Sequence, residues 1–223
     1  MNRIFSSDSP FMTFVNKLGQ VIIINLMWLV GCIPIITIGT STIAMYYAIV
    51  KTVRAECGYS VKEFWRAYRM NLVKGILLLI LIAVCVVLIY INRQYMSNLG
   101  SAFGLVMFVI YDILAVILAV MLAYAVPVLS RFTVKPAKYI SMIFTMSFRH
   151  LLSTVGVLAG TVGIIILISF FPITVLFAPG VWCFCLSFLV EKAMREYMPD
   201  PEEGCEPEWY YDLTAKKHRE EED

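Results

Sequence analysis

Between Lys17 and Lys51 the chain carries no charge, and Pro34 stands in the middle of that run. A single helix of this length would measure about 50 Å, well beyond a hydrocarbon core of about 30 Å. Proline also lacks a backbone donor and clashes with the preceding helical turn. The run therefore reads as two helices, about Phe11 to Ile33 and about Thr40 to Ala55, meeting at a turn. Thr40, Ser41 or Thr42 is expected to cap the second helix. Pro34, Thr37, Gly39 and Thr40 then form a tight turn at the outer membrane surface. A functional alternative treats the same residues as a broken-helix site, with freed backbone groups and a positive helix N-terminus facing a ligand.

Other stretches repeat the apolar pattern. Gly75 to Asn92 has no charge, Gln94 to Ser130 has only Asp112, and Leu151 to Val190 has none. With 60% hydrophobic and 15% charged residues and a mean hydropathy of +0.80, the chain departs from soluble domains, which are about 25% charged. Four more spans follow: about Asn71 to Tyr90, Phe103 to Leu129, Leu151 to Phe170, and Ile173 to Arg195, the last kinked at Pro179-Gly180. The fold expected is an all-α polytopic bundle of six transmembrane helices, with both termini cytoplasmic. Fourteen bases of the membrane body then lie inside and only Arg93 outside, in accord with the positive-inside rule. Residues 1–198 form the membrane domain. Residues 199–223 form an acidic cytoplasmic tail with ten acids and three bases, a composition that favours mobility. The N-terminus lacks the pattern of a cleaved signal peptide. The six cysteines form no CxxC pair, so no disulfide framework and no zinc site are expected.

Two cytoplasmic elbows precede the third and fifth spans. Ser60-Val-Lys-Glu63 has a capping-box pattern and opens FWRAYRMNLVK. Phe64, Trp65 and Tyr68 share a face, with Arg66 and Arg69 on others, as in an interfacial helix that meets lipid or a protein partner. The second elbow ends in Ser147-Phe148-Arg149-His150-Leu151. Tyr68-Arg69-Met-Asn-Leu72 echoes Phe148-Arg149-His-Leu-Leu152, which suggests a repeated helix–elbow–helix unit. Asp112 is the one acid inside a span and a functional candidate on that ground. Its possible partners are Arg93, Asn25 and Gln20. Gly156, Gly160 and Gly163 make a small-residue face for close helix packing, within the chain rather than in a homodimer; Gly100 to Gly104 is a weaker copy. No metalloprotease, phosphate-loop or nucleophile-elbow motif is present. The expectation is a protein that is not an enzyme, with no cofactor and no nucleic-acid partner.

DSPFM (Asp8 to Met12), NLMWLVGCIPIITIGTSTIAMYY (Asn25 to Tyr47), GYSVKEFWRAYRMN (Gly58 to Asn71) and SFRHL (Ser147 to Leu151) resemble the YesL family of bacterial integral membrane proteins of unknown function. The resemblance extends to about Tyr197 and leaves out the acidic tail. It implies the cytoplasmic membrane of a bacterium and association with carbohydrate ABC transporters, whose permease subunits would be partners. It carries over no catalytic residues. The leading expectation is a non-enzymatic accessory component of oligosaccharide uptake. The alternative is a small permease using the Pro34 break and Asp112, and a third, weaker reading is a sensor acting through the tail.

Overall fold

The computed structural model describes residues 10–98, 101–132 and 136–197, without the side chains of residues 10, 11, 136 and 137. Within these, every regular element is helical. α1 (Pro10–Gly31) is followed by a 3-10 turn, Ile35–Thr37. α2 (Ile38–Ala48) continues as a π-helical segment, Ile49–Arg54. α3 (Ser60–Met70) leads into α4 (Leu72–Asn98). α5 (Ala102–Arg131), α6 (Pro136–Arg149) and α7 (Leu151–Phe170) follow. A 3-10 segment, Pro172–Leu176, precedes α8 (Ala178–Met194). Three pairs of consecutive helices pack together, α1 with α2, α4 with α5 and α7 with α8, and the short helices α3 and α6 connect them.

Five helices among the described residues are long and apolar enough to cross a membrane: Met12–Gly31, Ile35–Arg54, α4, α5 and α7. Such helices describe a membrane-embedded protein. The expected sixth, Ile173 to Arg195, is divided. Phe177, at φ −142° and ψ −30°, separates the 3-10 segment from α8. α8 is 17 residues long, short of the roughly 20 that span a bilayer. Pro179 lies in the first turn of α8, where its missing N–H costs nothing. It marks a start rather than a kink. α4 runs past the expected end at Tyr90 to Asn98. Apolarity ends at Asn92, but helix propensity does not, and Asn92 donates to the carbonyl of Leu88 at 2.8 Å.

The hydroxyls near Pro34 do not cap α2 as expected. Thr37 is the N-cap residue and makes no side-chain cap bond. Its Oγ1 donates instead to the carbonyls of Gly31 and Pro34, at 2.8 and 2.7 Å. Ser41 Oγ donates to Trp28 O at 2.9 Å, and Thr42 Oγ1 to Ile38 O at 2.8 Å. The break frees carbonyls as well as N–H groups, and the hydroxyls here serve the carbonyls.

The depth at which α4 starts also differs from the expected one. Beyond α2, Glu56 at φ +57° and Gly58 at φ +85° reverse the chain, the left-handed conformation that glycine adopts without penalty. α3 then folds back along α1 and α2. Ser60 Oγ lies 3.1 Å from Thr52 Oγ1 and 3.4 Å from Gln20 Oε1. Lys51 Nζ meets Glu63 Oε2 at 2.9 Å. At the far end, the Tyr68 ring abuts Gly31. Thr40 Oγ1 donates to Leu72 O at 3.1 Å, and the backbones of Gly39 and Gly75 touch. The start of α4 therefore lies beside the start of α2. It is not beside Arg54 at the end of the π-helical segment, about 21 Å further along. An outer Pro34 turn above an inner start of α4 does not match this arrangement.

A labelling experiment reads the difference directly. In a cysteine-free background, Ile35→Cys and Val73→Cys, both exposed, are expected to react with an impermeant thiol reagent from the same side of the membrane. Labelling from opposite sides would refute the shared depth. Native Cys32 needs removal, although burial raises its thiol pKa, with a Ser41 hydrogen bond acting the other way.

Candidate functional site

Each of the five acids among the described residues pairs with a base from another helix or segment. Glu56 meets Lys17 at 2.9 Å, Glu63 meets Lys51 at 2.9 Å, and Asp112 meets Arg93 at 2.6 Å. Glu191 meets Arg131 at 2.7 Å, and Glu196 meets Arg149 at 3.2 Å. In a basic membrane body the few acids act as pins between helices. Their worth depends on burial. An exposed pair contributes about 1 kcal/mol or less, whereas breaking a buried one strands a charge at several times that cost.

Glu191 on α8 is the most enclosed pin. Its side chain is 8% exposed and that of Arg131 on α5 is 4%. Glu191 Oε1 also accepts from Tyr46 Oη on α2 at 2.9 Å. Tyr46 is itself fully buried. One carboxylate oxygen thus joins α2, α5 and α8. Close by, Arg54 donates to the carbonyl of Ser187 at 2.8 Å, and its guanidinium stacks 4.3 Å above the Phe188 ring. Neither Tyr46 nor Glu191 stands out in the sequence. Glu191 follows forty uncharged residues and precedes Lys192, so it looks like the membrane edge. The usable signal was the scarcity of acids in the body, six against fifteen bases.

The expected site residues separate into different places. Asp112 pairs with Arg93 on α4, whose guanidinium also lies 4.3 Å over Phe108. Both charged side chains remain more than 40% exposed. The other two proposed partners are engaged elsewhere. Gln20 meets Ser60. Asn25, fully buried, donates to Val175 O at 2.9 Å and accepts from Gly180 N at 2.8 Å. Asn25 thereby satisfies both sides of the break before α8, the kind of compensation that irregular backbone within a membrane requires. Gly180 lets α1 come this close, since a Cβ there would meet Asn25 Cβ at 2.9 Å.

Thr37, Gly39 and Thr40 are spent on backbone contacts with α1 and α4, and Pro34 heads the exposed Ile35–Ile36 corner. Phe64 does not meet lipid or a partner. It is fully buried, and Trp65 and Tyr68 pack on it, with Phe64–Trp65 and Trp65–Tyr68 centroids 5.7 and 5.3 Å apart. The stripe anchors α3 to α1 and α2, leaving Arg66 and Arg69 exposed. The capping box is also absent, because Glu63 turns to Lys51. Arg149 is exposed beside Glu196. Gly160 receives the Trp182 indole of α8, which donates to Thr161 Oγ1 at 3.2 Å. Gly156 faces Leu189 of α8, whereas Gly163 faces open space. Gly100 and the acidic tail lie outside the described residues.

Comparison with known proteins places this geometry in context. No curated protein matches the chain, and no solved structure does. Residues 21–93, from the middle of α1 through the fold-back of α3 to Arg93 on α4, match a family described as protein of unknown function, DUF624.

Proposed function

We propose that the chain is a non-enzymatic, multi-pass protein of the bacterial cytoplasmic membrane that serves as an accessory component of a carbohydrate ABC uptake system. The likeness of its motifs to the YesL family is what suggests such a transporter; the family match over residues 21–93 is to a family of unknown function. The geometric support is the α4–α5 hairpin. Gly75 is the only buried residue of α4, and apart from Gly104 the buried residues of α5 all lie between Tyr124 and Ser130. Most of both helices is a free apolar flank, on which the helices of a permease subunit can pack as lipid does. Helices associate in lipid through such packing.

In this reading the 3-10 segment Pro172–Leu176 and α8 together make a sixth crossing. The alternative, transport by the chain itself, needs the Pro34 break, Pro179-Gly180 and Asp112 to converge. Asp112 pairs with Arg93, whereas the two breaks are closed by Thr37 and Asn25, so nothing favours that alternative.

Affinity purification from native membranes in mild detergent is expected to bring ABC permease subunits along. Substitution of Val84, Val87, Val109 and Val116, all exposed on the flank, by bulky Trp is expected to release them. Repeated recovery of the protein without permease subunits would sink the accessory role.

A further inference from the structure

The apolar face that sequence periodicity assigned to α3 is present on α6. Tyr139, Ile143, Met146 and Ser147 of α6 are buried against α5 and α7. Ile140, Phe144 and Phe148 point outward, exposed at 56%, 51% and 43%. The two phenylalanine rings lie 4.6 Å apart. α6 is thus apolar on its buried face and on the exposed face beside it, and Lys138, Ser141, Thr145 and Arg149 form an exposed polar strip along its remaining side. A single residue, His150, separates it from α7, where Leu151, Leu152 and Val155 continue the exposed surface. α7 is one of the helices fit to cross a membrane, so the bilayer that covers α7 reaches α6. At the opposite end of α6, Lys138 is exposed, and Lys74 Nζ of α4 lies 5.8 Å from the centroid of the Tyr139 ring. Tyr139 is held in place by donating to Phe132 O at 2.6 Å. Arg149, the remaining base on the exposed side, is occupied by Glu196.

We propose that α6 starts at the headgroup–acyl boundary and runs back along α5 from Phe132 toward Val120, with Ile140, Phe144 and Phe148 in the lipid and Lys74 and Lys138, at its starting end, holding an anionic phospholipid headgroup. An outward aromatic face with bases beside it is the arrangement that binds an interfacial helix to anionic membranes. Each base near such a surface is worth about a fivefold preference for anionic over neutral lipid. The inference rests on the membrane placement of the chain and is independent of any permease.

The test uses the purified full chain in vesicles of phosphatidylcholine, with and without phosphatidylglycerol, brominated along the acyl chains. The emission added by Phe148→Trp, taken as the difference from the unsubstituted protein, is expected to be quenched. Quenching by brominated phosphatidylglycerol should exceed quenching by brominated phosphatidylcholine. Lys74→Gln with Lys138→Gln should lower that preference by about 25-fold, fivefold for each base. Should Phe148→Trp fail to fold, Phe144→Trp reads the same face. Unquenched emission in vesicles holding only this protein would mean that another copy covers the face, and would overturn the proposal. Equal quenching by the two lipids, unchanged by the lysine substitutions, would also overturn it. Loss of permease co-purification would leave all these readings unaltered.

Discussion

Arg131→Leu is expected to lower the free energy of unfolding by about 3–5 kcal/mol, the cost of leaving a buried charge without its partner. The base and Glu191 are both nearly inaccessible, so water cannot replace the lost bond. Only the Tyr46 hydroxyl remains on that carboxylate oxygen. Denaturation of the protein in mild detergent, followed by circular dichroism or thiol reactivity of buried Cys183, measures the loss. The double substitution Arg131→Leu with Glu191→Leu removes both charges and should recover most of it, since an apolar pair of similar size is often no worse than a buried ion pair. Tyr46→Phe removes one neutral-to-charged hydrogen bond and should cost about 1.5–3 kcal/mol. Were Arg131→Leu to unfold within about 1 kcal/mol of the unsubstituted protein, as an exposed pair would, the three-helix pin would have no energetic meaning.

Gly75→Val is expected to cost about 3 kcal/mol, the upper part of the range for overpacking. A Cβ at Gly75 would land on the backbone of Thr40, and one at Gly39 on the backbone of Gly75. Backbone atoms in two helices cannot rotate away as a side-chain tip can, so α2 and α4 must separate. Separation would also break the bond from Thr40 Oγ1 to Leu72 O. Thr40→Ala should therefore not rescue Gly75→Val, because the obstruction is main chain. Gly163→Val serves as the comparison. Nothing stands near a Cβ there, and the change should stay within about 0.5 kcal/mol. A shift in melting temperature for Gly163→Val as large as that for Gly75→Val would show that any bulk in an apolar helix has this effect, and would remove the case for the α2–α4 contact.

Legibility divides along chemical lines. The two helices on either side of Pro34 and the span Leu151–Phe170 were readable, because length in lipid and the geometry of proline act locally. The helical connector at Ser60 was also readable from amphipathic spacing, and the one before Leu151 from its echo of the first. Which face of each connector is covered was not. Phe64, Trp65 and Tyr68 have the pattern of an exposed stripe and are covered by α1 and α2, whereas Phe144 and Phe148, less prominent in sequence, remain outside. Periodicity identifies a face and leaves its neighbour unnamed. The partner of Asp112 was among the three proposed, Arg93, because α4 and α5 are joined by a short connection. Tyr46 and Glu191 are 145 residues apart, and no local pattern pairs them.

The sequence by itself determined that this chain lives in lipid, that it is helical, and that Pro34 ends one helix before the next begins, since each follows from hydration and backbone sterics within a short stretch. Only the tertiary structure decided that α3 turns back, that α4 begins beside the corner it was expected to oppose, and that Glu191 binds three helices. Those outcomes depend on the left-handed residues Glu56 and Gly58 and on glycines meeting across helices. The free energy of such contacts belongs to pairs of distant residues and is written in neither one separately.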